Sequence, residues 1–473
     1  MTAYDIARLK QRIAGIRHED NPALVRQKSR DFYWYSPVLK RQLDAVTGDI
    51  VVAPASEAEL TQVMAACYEL QIPLTPRGGG TGNYGQAMPL SGGVVLDLAN
   101  MNRVKAVAPG RVVAEPGTIL AALDQETRSR SGQELRIHPS TYQTASIGGH
   151  IAGGSGGVGS IRWGGLRDRG NIIRLRIATM EASPRLLEMT GDDLHKVAHA
   201  YGTNGIITEV EAPLTAAYEW IDVIAGFATL AEALAYGNAV AEADGLLLKN
   251  VAVIAAPVGH DVFGRYQRYI RPEQHVAIVM VAAHALDDLL AVTRRHRGAE
   301  LLFRSDAVGE ADRKGLPPAF ELTWNHTTLR ALRLEASITY LQVLYGFPQH
   351  AKLVEQIHQR FGAELPAHLE FVRLDGKVRC FGVPLLRFTT ESRLDEIVRI
   401  HEDMGAAVFN PHRYTLEEGG MKRTDEVQLA FKRETDPRGL LNPGKMIAWD
   451  DPHYDYRSGK IYLFPALGER VAG

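Results

Sequence analysis

Two stretches of this chain concentrate side chains able to move a proton or hold an anion. The first reads Trp324-Asn325-His326-Thr327-Thr328-Leu329, followed by Arg330, Arg333, Tyr340 and Gln342. The second reads Phe409-Asn410-Pro411-His412-Arg413-Tyr414-Thr415-Leu416-Glu417-Glu418-Gly419-Gly420, with Lys422 just beyond. His412 and His326 are the candidate general bases, because histidine titrates closest to neutral pH. Arg413 and Tyr414 accompany His412 in a loop after Pro411. His326 sits in a donor-rich segment that would be odd in an apolar core. The bland reading of His412 is a structural or solvent-facing histidine. Arg379 and Arg387 flank Val383-Pro384 and have the geometry to clamp a carboxylate, although each reads more simply as a surface or ion-pair arginine.

Chemistry of this kind needs a ligand held still, and the backbone supplies the signal. Seven glycines fall in Pro76–Gly93 and nine in Gly148–Gly165. Such density marks backbone that must turn tightly or approach something closely. Two literal G-x-G-x-x-G matches occur, at Gly80-Thr81-Gly82-Asn83-Tyr84-Gly85 and at Gly154-Ser155-Gly156-Gly157-Val158-Gly159. A dinucleotide fold of the doubly wound type requires a helix directly after such a loop. After Gly85 the chain reads Gln-Ala-Met-Pro-Leu-Ser-Gly-Gly and then a strand; after Gly159, Trp163-Gly164-Gly165 breaks the pattern. That fold is rejected. What remains is a nest, in which successive amides of a glycine turn converge on an anion such as a pyrophosphate, with Arg77 and Thr81 as added donors.

The elements around the loops follow from periodicity. Ile50–Ala53 reads as a strand, Ser56 and Glu59 as a capping box, and Leu60, Val63, Met64, Cys67 and Leu70 as one buried helical face. Strands are predicted at Pro73–Pro76 and Val94–Leu98, and a hairpin at Val104–Ala108 and Arg111–Glu115 turning at Pro109-Gly110. A helix follows Thr118, a half-buried strand spans Ile173–Ile177, a helix spans Asp192–Tyr201, and a strand spans Ile206–Val210. Beyond Pro213, strand-like runs (Ile221–Phe227, Leu246–Ala255, Val276–Ala282) alternate with helical ones (Leu230–Ala243, Leu286–Arg297). The chain has 473 residues, 45% of them apolar, a net charge of −2 and two cysteines, Cys67 and Cys380. These values argue against nucleic acid as a partner and against a disulfide framework or cysteine-rich zinc site. With no signal-peptide pattern at the start and no membrane-length apolar run, the expectation is a cytoplasmic protein, with peripheral membrane contact left open.

Four blocks carry a resemblance. Pro76-Arg77-Gly78-Gly79-Gly80-Thr81-Gly82, with Gly92-Gly93-Val94-Val95-Leu96-Asp97-Leu98 and Met101-Asn102-Arg103, resembles the first flavin loop of the vanillyl-alcohol-oxidase family, whose FAD domain is called PCMH-type. Pro139-Ser140 through Ser146-Ile147-Gly148-Gly149-His150-Ile151-Ala152 to Gly156-Gly157 is similar to its second flavin segment. Gly202-Thr203-Asn204-Gly205-Ile206-Ile207-Thr208-Glu209 and Asp436-Pro437-Arg438-Gly439-Leu440-Leu441-Asn442-Pro443-Gly444-Lys445 complete the ordered set. The cap and C-terminal half resemble, more loosely, the glycolate oxidase subunit and D-lactate dehydrogenase branch.

The resemblance implies an α+β protein, with a bipartite PCMH-type FAD domain and an α+β, ferredoxin-like cap. It divides the chain into an N-terminal extension (1–40), the FAD domain (41–217), the cap (218–405) and a segment returning to the flavin (406–473). It places the pyrophosphate on Arg77, Gly78, Gly79, Gly80, Thr81, Gly82 and Asn83. Pro139, Ser140, Ser146, Gly148, Gly149 and Gly157 would line the ribityl chain and ring. Ile206 and Ile207 would offer backbone groups, and Asn442 would lie near the flavin. Thr81 follows Gly80 where some relatives attach FAD through a histidine, and Ala145 stands where others use a cysteine, so non-covalent FAD is expected. His150 replaces a usual asparagine.

The metal-using members carry Gly-His-x-Gly-Asp-Gly-Asn-x-His and a later Glu-His-Gly. Here the first is absent and the second reads Glu417-Glu418-Gly419, so no metal is expected. The leading expectation is oxidation of the alcohol carbon of a small 2-hydroxy acid of the lactate or glycolate kind by hydride transfer to the flavin. Electrons would pass on to a quinone, a carrier protein or O₂. An aromatic-alcohol or phenol oxidase and a non-catalytic FAD-binding subunit of a larger complex are the alternatives. Homo-oligomer and complex subunit both stay open.

Overall fold

The computed structural model describes residues 4–154, 156–309, 312, 314–457 and 459–468. Ser155, inside the second glycine match, lies outside them. Helix Glu57–Leu70 begins where Ser56 Oγ accepts the Glu59 amide and buries Leu60, Val63, Met64 and Cys67. The Glu59 carboxylate accepts from Ala55 N rather than from Ser56 N, so only half of the capping box forms. This helix joins strands Ile50–Val52 and Leu74–Arg77, which both pair in parallel with Val94–Asp97 between them. His18–Glu19 adds an antiparallel edge. Leu9, Ile13 and Ile16 pack into the same core as Leu60 and Leu74. Residues 9–16 are therefore built into this layer, while Val38 packs in the core of the third sheet. The first glycine loop leaves the carboxyl end of Leu74–Arg77, the end of parallel strands where open sheets bind ligands.

A second, antiparallel sheet runs in the order Val104–Ala108, Arg111–Ala114, Ile206–Ala216, Arg174–Ala178, Leu186–Thr190, with Gln133–Leu135 also on Ile206–Ala216. The first two strands form the hairpin around Gly110 (φ +75°). Strand Ile206–Ala216 runs straight through Pro213, opposite Arg111. The helix expected over Asp192–Tyr201 is reduced to a turn at Gly191–Asp193 and Leu194–Val197. His199 and Tyr201 then adopt left-handed backbone, at φ +51° and +53°.

The third sheet has eight strands, in the order Glu300–Arg304, Trp220–Phe227, His275–Ala282, Leu248–Ile254, His368–Leu374, Lys377–Gly382, Val343–Tyr345, Ala407–Val408. Its central strands read as unbroken apolar runs because both faces are covered. Val223, Ala225, Val251, Val253 and Val279 face one core with helices Leu230–Glu242, Leu286–Arg295 and His350–Phe361. Their neighbours Ile224, Ala252, Ile254 and Ile278 face another, which includes Ala331 of helix Asn325–Leu334. The period of two is that of a strand. The last strand, Ala407–Val408, keeps the chain in this sheet three residues past 405.

From there the chain packs on the first two layers. Leu441 bridges Leu74, and the Asn442 amide donates to Leu74 O at 2.9 Å. Lys432, fully enclosed, donates to Asp436 Oδ2 (2.6 Å) and Thr203 O (2.8 Å). Asp436 in turn accepts the Leu440 and Leu441 amides. Buried charges stay paired in this way because an unpaired one is costly.

Candidate functional site: a cradle between two glycine loops

The two glycine regions meet backbone to backbone. A Cβ on Gly78 would fall 2.1 Å from Ser146 Oγ, and one on Gly79 would fall 2.1 Å from Thr144 O. Ser146 Oγ accepts the amides of both Gly79 and Gly149, each at 3.3 Å, and so ties the loops together. Arg77 folds back over Gly80 and donates to Arg30 O. Among the described residues the amides of Gly80, Thr81, Gly82 and Asn83 donate to no protein group. Unclaimed amides in a glycine-rich turn are the geometry of an anion nest.

The nest opens into one cavity of about 1930 Å³ of atom-free space, its mouth included. Arg77, Gly78, Gly79, Gly80, Thr81, Gly82, Asn83, Pro139, Ser140, Ser146, Gly148, Gly149, Ile206 and Ile207 line it. Gly157 and Asn442 do not. A Cβ on Gly157 would strike His138 O at 2.1 Å, so this glycine serves close packing within the protein. Asn442, at φ +43°, donates to Gln86 O and Tyr201 O, each at 2.8 Å, and clamps two wall segments from behind. Lys445 does likewise, donating to Gly85 O at 2.6 Å. The motif holding these two residues shapes the site without facing it. A cavity of this size with unclaimed amides on its wall fits an FAD molecule.

Residues 48–183 match the family described as the FAD binding domain. That segment is a PCMH-type FAD-binding domain. FAD is its cofactor. The chain is 34% identical over 171 residues to a mitochondrial cytochrome-dependent D-lactate dehydrogenase of Arabidopsis thaliana, a match covering 34% of this chain but 29% of that relative. It is 29% identical over 432 residues to a D-lactate dehydrogenase of Archaeoglobus fulgidus, covering 84% of this chain and 91% of the relative. An alkyldihydroxyacetonephosphate synthase structure superposes at a TM-score of 0.70 with 16% identity, covering 93% of this chain and 84% of that one. At that identity the likeness speaks for the fold alone.

The far end of the flavoprotein's cavity is closed by the cap. Trp324, Asn325, Gln342, Val372, Leu374, Phe381 and Val383 line it there. Phe32, Tyr35, Tyr84, Met421 and Leu463 line it from the rest of the chain. Trp324 is held at φ +52°, with its amide donating to Glu370 Oε1 (2.6 Å) and its indole to Asn250 Oδ1 (3.0 Å). Tyr84 lies beside Tyr340 and Gln342, and burial raises its pKa well above the ordinary phenol value. Arg167 also faces the cavity. Its Nη1 donates to Leu463 O (2.8 Å), its Nη2 meets the exposed Asp375 (2.9 Å), and its buried Nε has no partner among the described residues.

The histidines expected to act as bases stand elsewhere. His412 is buried, with Nδ1 2.7 Å from Ser36 Oγ and Nε2 2.9 Å from Tyr340 O. Burial lowers its pKa to about 4. Both ring nitrogens are committed, and it does not line the cavity. His412 is therefore corrected from base to strut, joining the N-terminal segment to the cap. His326 turns its ring toward the Glu321 backbone, and burial lowers its pKa to about 4. Its neighbours Trp324 and Asn325 face the cavity instead. Arg413 lies 3.7 Å from Asp395 at the surface, and Tyr414 packs under Lys445 Nζ, 5.0 Å from the ring centroid. Arg387 pairs with Glu335, and Arg379 lies over Phe347. None of these four lines the cavity. A helix rotates by about 100° per residue, so adjacency in sequence did not carry over to the site.

The sequence reading missed Asp31, Phe32 and Tyr35, whose signal was the aromatic run from Phe32 to Tyr35, and it missed His199 and Tyr201, hidden in an expected helix. Among the described residues no group of three or more His, Cys, Asp and Glu is placed to hold a metal. No helix among them is long and apolar enough to cross a membrane.

Proposed function

We propose that this flavoprotein oxidises the alcohol carbon of a 2-hydroxy acid, with the substrate entering at the cap end of the cavity. The observation that carries the reading is the continuity of one cavity from the amide nest to Trp324, Asn325 and Gln342. The D-lactate dehydrogenase relatives support the substrate class. Bound FAD supplies the two-electron acceptor. Arg167 offers its Nε and Nη2 edge to the substrate carboxylate, displacing the solvent-exposed Asp375. Tyr84 stays protonated and orients the substrate hydroxyl together with Asn325 and Gln342, while the apolar wall of Val372, Phe381 and Val383 excludes water. In this reading FAD is held non-covalently, with Ala145 in the lining and neither cysteine there. An electron acceptor, whether quinone, carrier protein or O₂, completes the cycle.

The test is anaerobic mixing of purified protein with glycolate, both lactate enantiomers and 2-hydroxyglutarate while the flavin's visible absorbance is followed. Bleaching by at least one, abolished in Arg167→Met, is expected. The aromatic content of the cap end (Phe32, Tyr35, Trp324, Phe381) favours an aryl alcohol as the second reading. Bleaching by benzylic alcohols and by no hydroxy acid would select it.

A further inference from the structure

His199 and Tyr201 share an unusual predicament. Both are bulky residues in the left-handed region, at φ +51° and +53°, which L side chains rarely adopt. Both are buried, at 1% and 3% exposure, and both line the cavity. Their backbones are well satisfied. His199 N donates to Ile151 O and Tyr201 N to Ala152 O, each at 3.0 Å. Asn442 Nδ2 donates to Tyr201 O, and Lys422 Nζ donates to Ala198 O at 2.6 Å. The bend is thus imposed from outside by the returning segment. The side chains are not satisfied: among the described residues, neither ring nitrogen of His199 nor the Tyr201 hydroxyl has a hydrogen-bond partner.

A purely packing role explains this poorly. The His199 ring stacks edge-on against Phe464 at 4.7 Å and presses on Gly154, where a Cβ would lie 2.1 Å from the imidazole. An apolar ring would fill that space without burying unpaired polar atoms, which destabilise a fold. Strained backbone and unpaired polar groups that coincide on a cavity wall mark a ligand contact. Burial, with Lys422 adding to it, keeps the imidazole neutral, so it presents one donor and one acceptor.

We infer that His199 and Tyr201 are FAD-binding residues, held in a strained bend so that the imidazole edge and the phenol hydroxyl hydrogen-bond the cofactor. The inference rests on FAD occupying this cavity. Its test uses flavin-stripped protein, FAD titration and thermal melting. Tyr201→Phe removes only the hydroxyl. The stripped variant is expected to melt at or above the wild-type temperature, while its Kd for FAD rises about fivefold or more. His199→Leu is expected to raise Kd about tenfold or more. His199→Asn, which tolerates the left-handed bend and restores a donor and an acceptor, is expected to recover most of that loss. Wild-type Kd within twofold in both Tyr201→Phe and His199→Leu overturns the inference, as does a lowered melting point of stripped Tyr201→Phe without a change in Kd. Wild-type protein that takes up no FAD overturns the cofactor assignment itself, and is recognised before any variant is made.

Discussion

Substituting Gly79 by alanine tests whether the two loops act as one cradle. The backbone at Gly79 is not left-handed, so alanine adds no conformational strain there and its effect is steric. The new Cβ would sit 2.1 Å from Thr144 O and 3.2 Å from Ala145 Cα. The first contact is 0.9 Å inside the 3.0 Å that real Cβ atoms keep. The obstacle is backbone, so no side chain can swing aside, and the loops must part by nearly an ångström. Overpacking of this kind costs about 1–3 kcal/mol. Where one ligand spans both loops, much of that cost falls on binding, and the Kd for FAD is expected to rise about tenfold to a hundredfold. The assay is quenching of flavin fluorescence on titration into stripped protein. Gly245→Ala is the control, since nothing lies within 4 Å of its added Cβ. If Gly79→Ala binds FAD within twofold of wild type while folding normally, the loops do not share a ligand and the cradle is wrong.

Three further outcomes are expected. Several buried histidines carry depressed pKa values, among them His138 (about 3), His150 (about 4), His199 (about 3) and His412 (about 4), mainly through burial. The folded state refuses protons that the unfolded chain binds below about pH 6.5. Stability is therefore full above that pH and falls toward pH 4, by about 1.4 kcal/mol per histidine per pH unit. A melting temperature that is flat between neutral pH and about pH 5 would refute this. His412→Ala is expected to cost about 2–4 kcal/mol in denaturant unfolding through two lost hydrogen bonds and a cavity, while His326→Ala and Arg413→Ala leave flavin bleaching within about threefold of wild type. A bleaching rate lowered a hundredfold or so in His326→Ala would restore it as the base. Asp31, whose carboxylate accepts from Tyr33 N and Ala87 N, supports the charge on buried Lys445, each shifted chiefly by desolvation. Asp31→Asn and Lys445→Met are each expected to destabilise the fold in denaturant unfolding, and the double variant by clearly less than the sum. Additive losses would show the two charges to be uncoupled.

The glycine clusters by themselves announced a close approach of backbone to backbone, because no other residue can occupy positions where a Cβ would meet a carbonyl at 2.1 Å. Periodicity likewise announced the strand-helix-strand unit ending at Arg77, the hairpin at Gly110 and the doubly covered strands of the cap, since each pattern reports only which neighbours along the chain share a face. The missing part was direction in space. His412 and His326 carried chemistry in their type, yet burial and two hydrogen bonds make the one a strut, and a helical turn aims the other away from the cavity. Asn442 and Gly157 carried the motif but stand behind the wall. His199 and Tyr201 lay unremarked in a helical pattern that tertiary contacts from Lys422 and Asn442 break. Local sequence fixes which backbone conformations are cheap. Whether a side chain faces the ligand is decided by contacts between segments more than two hundred residues apart, and those exist only once the layers have packed.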